Sequence, residues 1–362
     1  MPIEVKKPER FTWDVPFEDE IPMAKVPPVP FMSENYCFTG IDAKSGVAFF
    51  LHMGRWVKNP AIFRELLLFY LPDGGYLLHQ SFGRGDCSKG PFAACLSLTV
   101  EDPGRKIAIR FSGPIQRITP ERLTNGREVP VSYDRLDLNL SFDANAPFWY
   151  FKETDNTTWS SWHTEQQGLV TGDIDHDGTR YAFNGRGYRD HSRGVRQLNE
   201  WRGHTWIQGQ FEDGSSFAVY QLWQIIEGSE VEALSEAKIL QGNRFISAKV
   251  GVTPRLFSTA DAYEPFTLTL DSELGPMVIN GEPLSIGLFS VSPGFSHFMP
   301  GIPVGVREFP MTCVEQPVEY RIGERTAYGW TERSYNRLDQ ERVFNASAVR
   351  ELRAAKAARR NL

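Results

Sequence analysis

Short runs of alternating apolar and polar residues recur along most of the chain, and tight turns separate them. Residues 136–143 read LDLNLSFD, with the leucines and the phenylalanine at even positions. Residues 201–211 and 216–226 flank the turn sequence Glu212-Asp213-Gly214. When apolar residues recur at every second position, they share one face of a strand, and that face can pack on a core. Turns of this kind connect the two strands of a hairpin. The pattern predicts an all-β chain of antiparallel strands, closed into barrels or packed as sandwiches.

The composition fits strands and excludes several classes of protein. Aromatic residues make up 13% of the chain, and 31 Gly and 24 Pro supply turn residues. A formal net charge of −6 argues against a general nucleic-acid binder, which usually carries a basic face. No apolar run suits a transmembrane helix or a secretion signal. The scattered cysteines indicate a reduced, cytoplasmic protein: Cys37, Cys87, Cys95 and Cys313.

Length and local composition predict two β domains between two unlike ends. At ~150 residues per domain, a chain of 362 residues holds about two. Residues 1–32 are rich in proline and are expected to form an extended arm. The two β domains are expected at 33–165 and 166–340. Residues 341–362 are rich in Ala, Arg and Lys, and a helix is expected there with Ser347 as its N-cap.

One predicted strand, at 201–211, has an unusual polar face. With a period of two, Arg202, His204, Trp206 and Gln208 point to the same side. Such a face can make specific hydrogen bonds and contains one large ring, so inside a barrel it would line a ligand cavity. The alternative is that this face meets solvent, where Trp206 would be poorly placed.

The segment 185–196 reads GRGYRDHSRGVR and is the most distinctive candidate for a catalytic motif in the chain. Asp190 beside His191 is a common acid/base arrangement, since each group shifts the pKa of the other. Several arginines surround the two residues. The alternative is a cluster of ion pairs that ties strands together, with Asp190 and His191 bonded to Arg189 and Arg196.

Two further signals are weaker. His52, on an early strand, could face a cavity, although a hydrogen-bonded core histidine is the commoner outcome. Residues 173–178 begin like an EF-hand loop, but Asn184 stands where that loop needs Glu. A hairpin turn is therefore predicted at 173–178, and no metal site.

The segment 185–196 with the strand after it resembles the AttH and carotenoid 1,2-hydratase group of lipocalin-like proteins, in an uncharacterised bacterial branch. The group's core reads R-D-H-S/N-W-G-x-R. Asp190, His191, Ser192, Gly194 and Arg196 match it, and Arg193 stands in place of the usual Trp. The resemblance extends over most of residues 33–335, including the stretches 33–38, 46–54 and 329–332.

The resemblance implies two lipocalin-like β-barrel domains and a hydrophobic pocket. Related members hydrate an alkene or cyclise a polyene, and the aspartate of the motif, here Asp190, is the proton donor. Aromatic rings would then stabilise the cation. Arg193 would repel a carbocation and suits an oxygen-bearing substrate. Because Arg193 replaces the usual Trp, an elimination reaction is a second form of the lyase hypothesis. In it, His191 or His204 takes a proton from the substrate.

The resulting expectation is a cofactor-independent lyase, of the hydratase or eliminating type, for a small hydrophobic compound that carries oxygen or an aromatic ring. Neither a metal nor a nucleic-acid partner is expected, and a homodimer is left open. A non-catalytic carrier and an isomerase or cyclase are the alternatives. The expected catalytic residues are Asp190, His191 and His204. The expected substrate-binding residues are Tyr188, Arg193, Trp201, Arg202, Trp206, Gln208, Trp223 and Glu332.

Overall fold

The computed structural model describes residues 11–118, 132–151, 162–195, 201–227, 229–242, 244–291, 298–300 and 311–336. Nearly all regular structure in these ranges is antiparallel strand, which confirms the predicted all-β class. The exceptions are one short helix, α1 (Phe17–Glu20), and a 3-10 turn at Ala260–Tyr263. The helix expected at 341–362 lies outside the described residues. No helix of the described part is long and apolar enough to cross a membrane.

The first sheet closes on itself as an eight-stranded barrel. Around the barrel the order is β10-β11-β2-β3-β4-β5-β7-β8, and β8 pairs with β10 to close the circle. Three short strands lie off this circle: β1, β9 and β6. The bounds are β1 (Phe11–Thr12), β2 (Met32–Asp42), β3 (Val47–Trp56), β4 (Asn59–Tyr70), β5 (Tyr76–Gly83), β6 (Leu96–Asp102), β7 (Lys106–Ile118), β8 (Tyr133–Ala144), β9 (Phe148–Tyr150), β10 (Trp162–His176) and β11 (Thr179–Val195).

The second sheet closes in the same way. Its order is β17-β16-β15-β14-β13-β12-β21-β20, and β17 pairs with β20 to complete eight strands. The strands β18 and β19 extend the sheet beside β20. The bounds are β12 (Trp201–Phe211), β13 (Ser216–Ile226), β14 (Ser229–Gln241), β15 (Arg244–Val250), β16 (Phe266–Ser272), β17 (Gly275–Pro283), β18 (Gly287–Val291), β19 (Phe298–Pro300), β20 (Met311–Ile322) and β21 (Arg325–Asn336).

The sheets divide the chain later than the sequence suggested. The expected boundary between 165 and 166 lies inside β10. β10 and β11 form a long hairpin, turned at Asp177 and Gly178, and β11 pairs with β2 along ten residues. Because this hairpin completes the first barrel, the change of barrel falls between Val195 and Trp201. The turn at 173–178 is the predicted hairpin.

Each barrel is filled by its own side chains, as eight strands allow. The first contains residues such as Phe38, Phe49 and Leu67, and the second contains residues such as Ile207 and Val219. A third apolar cluster joins the outer faces of the two barrels, and Phe50 of β3 stacks there on Trp330 of β21 at 6.2 Å between ring centroids.

The polar face of β12 meets neither solvent nor the inside of a barrel. His204 and Trp206 are buried on the outer surface of the second barrel, where the first barrel covers them. The site therefore lies between the barrels and not inside one of them.

The described part of the N-terminal arm, from residue 11, packs on the first barrel. β1 pairs with β9, and Glu20 at the end of α1 is buried. Its carboxylate forms an ion pair with Arg189 of β11 at 3.2 Å and accepts the backbone N–H of Gly104. The arm thus covers one end of the β10–β11 hairpin.

Candidate active site

A cavity of about 50 Å³ lies between the two barrels. A cavity needs only about 10–15 Å³ to hold a water molecule, so this one has room for more than one, or for the reacting end of a larger molecule. The first barrel lines it with Asn35, Cys37, His52, Asp190 and Ser192. The second barrel lines it with Trp201, His204, Trp206, Tyr220 and Glu332.

Three lining residues of the first barrel form one row across three strands. Asp190 of β11 is opposite Cys37 of β2, which is opposite His52 of β3. Residues directly opposite in antiparallel strands have their side chains on the same face, and Cα atoms two strands apart are ~10 Å from each other. The row therefore places Asp190 and His52 at two sides of one wall, with the thiol of Cys37 between them.

Asp190 belongs to a buried cluster with His163 and Glu165 of β10. The Nε2 atom of His163 lies 3.1 Å from Oε1 of Glu165 and 3.5 Å from Oδ2 of Asp190. Both oxygens of Glu165 also accept the indole N–H of Trp206, at 2.9 and 3.0 Å. Among the three, Asp190 alone lines the cavity. It is the member of this cluster that a ligand can touch.

The cluster is arranged to retain protons. Burial raises the pKa of Glu165, and the charge of Asp190 adds to that shift. Burial alone would lower the pKa of His163, but the two carboxylates outweigh it and raise that pKa above its usual value. The imidazole therefore shares a proton with two acids, and one of the acids faces the cavity.

A second acid/base group faces the cavity from the other barrel. Nε2 of His204 lies 2.6 Å from Oε1 of Glu332. The hydroxyl of Ser334 accepts the backbone N–H of His204 and lies 2.5 Å from Nδ1 of that ring, to which it donates when the ring hydrogen is on Nε2, beside Glu332. Nδ1 is then the acceptor and Nε2 carries the hydrogen donated to Glu332.

Glu315 of β20 supports Glu332 from behind. It is completely buried and accepts the indole N–H of Trp330 at 2.6 Å. Burial raises the pKa of Glu315 well above its usual value, and the charge of the hydrogen-bonded Glu332 raises it further. Glu315 therefore keeps its proton beside the carboxylate of Glu332.

His191 and Arg193, both expected in the site, lie on the other face of β11. Nε2 of His191 contacts Glu34 at 3.1 Å, and its ring stacks on Tyr36. Nε of Arg193 donates to the same carboxylate at 2.9 Å, and its guanidinium covers the ring of Trp162 at 4.6 Å. These residues hold the barrel and the arm together. The structure does not bring them to the cavity.

A β-bulge changes which residues of β12 face the cavity. The pairing with β13 shifts register between Trp201 and Gly203. Trp201 therefore joins His204 and Trp206 at the cavity, whereas Arg202 is directed to Glu230, 4.0 Å away. Strict alternation placed Arg202 on the binding face of β12. The bulge turns its side chain away from that face.

The remaining predicted residues lie near the cavity but do not line it. Tyr188 packs edge-on against Trp206 and is hydrogen-bonded to Glu165. Gln208 donates to the hydroxyl of Thr39 at 3.0 Å across the barrel interface. Trp223 lies under the guanidinium of Arg255, at 4.2 Å from its centroid. Tyr188 and Gln208 support the barrel interface, while Trp223 contacts Arg255.

Sequence reasoning missed four lining residues, Asn35, Cys37, Ser192 and Tyr220, and three buried residues behind the lining, His163, Glu165 and Glu315. His163 and Glu165 alternate on β10, so they share a face, and that spacing could have marked them. His163, Glu165 and Asp190 could also hold a metal ion, since one ligand atom of each lies within 4.8 Å of the others. Nothing local marks Glu315, because its place behind Glu332 follows from the register of the β20–β21 hairpin.

Comparisons with known proteins agree with this architecture. A family model described as a domain of unknown function, DUF7064, matches residues 17–233, more than half of the chain. The protein therefore belongs to the DUF7064 family. A search of the curated proteins found no match.

Three solved structures share the two-barrel fold at low identity. An AttH protein from Nitrosomonas europaea has a TM-score of 0.56 at 14% identity, covering 86% of this chain and 98% of its own. CghA has a TM-score of 0.53 at 13% sequence identity, and the match covers 85% of this chain and 88% of CghA. Kievitone hydratase from Nectria haematococca has a TM-score of 0.50 at 10% sequence identity, and the match covers 84% of this chain and 88% of that protein. The AttH-like fold implied by the motif at 185–196 is thus confirmed.

Proposed function

We propose that the protein is a cofactor-independent lyase that adds water to, or removes it from, a small hydrophobic compound carrying oxygen. The observation that carries this proposal is that Asp190 and Glu332, from different barrels, face one cavity. Adding or removing water needs one proton given and one taken, and two separate acid/base groups can do both.

Each group has the support that its role requires. Asp190 exchanges protons with His163 and Glu165 behind it, and these two act as positioning residues. Glu332 is held by His204 on one side and Glu315 on the other. The rings of Trp201, Trp206 and Tyr220 exclude water from the rest of the wall, which strengthens electrostatic interactions in the cavity.

The fold neighbours give independent support, since one of them is named a hydratase. Asp190 faces the cavity, and Arg189 is bonded to Glu20 and Gln166 instead of to Asp190, which favours an enzyme over a carrier. Two acid/base walls would also serve an isomerase, which moves a proton without consuming water.

The test is turnover of a panel of hydrophobic alcohols and alkenes in water labelled with ¹⁸O or deuterium, followed by mass spectrometry. A lyase forms products that gain or lose one labelled oxygen. Asp190→Asn should lower kcat by about 10²–10⁴-fold, whereas Asp271→Asn, an exposed aspartate of β16, should not change it. Unchanged turnover in Asp190→Asn contradicts the proposal, and deuterium uptake without oxygen exchange assigns an isomerase instead.

A further inference from the structure

The wall that holds Asp190 also carries, on its far side, hydrogen-bond donors that the proton-transfer scheme does not use. Nη2 of Arg64 lies 2.8 Å from Nδ1 of His52. A guanidinium can only donate, so Nδ1 must be the acceptor and the ring hydrogen is on Nε2. His52 is therefore an imidazole whose ring hydrogen is on Nε2, on a ring that lines the cavity.

Asn35 adds a second donor beside it. Its Oδ1 accepts the hydroxyl of Ser33 at 3.2 Å, while its Nδ2 is buried and has no hydrogen-bond partner among the described residues. Asn35 is 4% exposed and lines the same cavity. A buried amide donor without a partner costs about 1–3 kcal/mol, and a ligand acceptor would remove that cost.

Gly54 leaves room for the side chains of Asn35 and His52 to lie beside each other. A Cβ atom at Gly54 would lie 2.7 Å from Oδ1 of Asn35 and 2.8 Å from Cε1 of His52. Those distances are too short for real contacts, so any side chain here would push Asn35 and His52 aside.

A buried positive charge stands behind these donors. Arg64 is 2% exposed, and burial lowers its pKa to about 9, so it remains charged at neutral pH. A positive charge close to the cavity opposes a carbocation and favours negative charge that develops on a ligand oxygen.

We infer that His52 and Asn35, with Arg64 behind them, bind a carbonyl oxygen, so the substrate is a β-hydroxycarbonyl compound or the enone formed from it. This inference rests on the proposed function and deepens it, because it names the substrate class of the same cavity.

The chemistry balances without a co-reactant. In the dehydrating direction Glu332 takes the proton from the carbon next to the carbonyl, and the C–H electron pair forms the double bond of an enolate. The enolate oxygen receives hydrogen bonds from His52 and Asn35. When the carbonyl re-forms, the bond from the β carbon to its hydroxyl breaks, and the cluster of Asp190 delivers a proton so that water leaves. Solvent then returns the proton from Glu332 to Asp190.

The inference is tested by equilibrium binding to the full chain, with acetophenone and α-methylstyrene as probes. They have nearly the same shape and differ in a C=O against a C=CH₂ group. Ligand-observed NMR gives both dissociation constants, and their ratio is compared between variants. His52→Phe should weaken acetophenone binding about five- to tenfold, while α-methylstyrene binding is kept. His52→Gln should retain the ratio, because its amide can accept from Arg64 and donate to the ligand.

Asn35→Leu should shift the ratio in the same direction as His52→Phe. It serves as the second variant if His52→Phe fails to fold, because it does not remove the partner of the buried Arg64 charge. Equal ratios in the wild type and the apolar variants overturn the inference, and so does a loss in His52→Gln equal to that of His52→Phe. Binding needs no turnover, so failure of the Asp190→Asn test counts only against the proposed lyase activity.

Discussion

Asp190 and His191 are neighbours in the chain, yet their side chains lie on opposite faces of β11. Asp190 faces the cavity between the barrels, and His191 is bonded to Glu34 at 3.1 Å on the other side of the strand. This is a direct result of strand geometry, in which successive side chains alternate. The acid/base partner of Asp190 is therefore His163, from the adjacent strand.

His191→Gln should affect stability more than activity. His191 donates to a buried carboxylate, and its loss should cost about 1–3 kcal/mol of the free energy of unfolding. Because the ring does not reach the cavity, kcat should stay within a few-fold of the wild type. Urea unfolding and steady-state kinetics measure the two effects. A loss of kcat comparable to that of Asp190→Asn would contradict the geometry.

Arg193→Ala should lower stability without changing ligand selectivity. Arg193 donates to Glu34, to the carbonyls of Asp19 and Ile21, and lies over Trp162. Removing it leaves a buried carboxylate with fewer donors, at a cost of about 2–4 kcal/mol. The ratio of acetophenone to α-methylstyrene binding should equal that of the wild type. A changed ratio would place Arg193 in the binding site after all.

Acid should destabilise the protein partly through Glu34. Burial alone would raise its pKa, but His191, Arg193 and Arg55 outweigh burial and lower it to about 2. A depressed pKa gives stability that is present above the usual value of 4.5 and is lost as the pH falls through the folded value. Glu34→Gln should therefore cost up to about 3 kcal/mol at pH 7.

That deficit should shrink between pH 4.5 and 3. Chemical unfolding of both proteins at each pH measures it, and Glu319→Gln, a partly exposed glutamate of β20, serves as the control. A deficit that does not change with pH would show that the charge of Glu34 is not what stabilises the fold.

The sequence predicted what depends on local pattern. Alternation and turn residues sufficed for the antiparallel strands, and the motif at 185–196 indicated two barrels. The same alternation placed His204 and Trp206 on one face of β12, and both line the cavity. Alternation failed at Arg202, because the β-bulge between β12 and β13 has no signal in the alternation pattern.

The placement of His191 and Arg193 failed for a different reason. A sequence shows which residues share a face of a strand, but not which face meets the other barrel. Glu165 and Glu315 support cavity residues through barrel packing, as in the bond of Glu165 to Trp206, and through strand register, as in the pairing of Glu315 with Glu332. The argument that Arg193 selects an oxygen-bearing ligand does not hold, and the buried pair of His52 and Arg64 takes its place.

Glu315→Gln should make the protein less sensitive to high pH. Burial raises the pKa of Glu315 in the folded state, so the folded state holds a proton that the unfolded state releases above about pH 4.5. Wild-type stability then falls with rising pH, by at most about 1.4 kcal/mol per pH unit, until Glu315 itself ionises. The variant lacks that loss and keeps an acceptor for Trp330.

The difference in unfolding free energy, variant minus wild type, should therefore increase from pH 5 to pH 8. Urea unfolding at four or more pH values measures it. Parallel curves for the two proteins would show that Glu315 is not protonated in the fold.

Removal of metal ions should leave activity unchanged. His163, Glu165 and Asp190 have the types and the spacing of metal ligands, but the pKa of His163 is raised by the two carboxylates beside Nε2. A proton at Nε2 occupies the lone pair that a metal would need, and it already balances the negative charge of the cluster. Turnover after dialysis against EDTA should match turnover before it, and metal analysis of the active protein should find no stoichiometric zinc. Loss of activity that zinc restores, together with loss of zinc binding in His163→Gln, would assign these three residues to a metal centre instead of a proton relay.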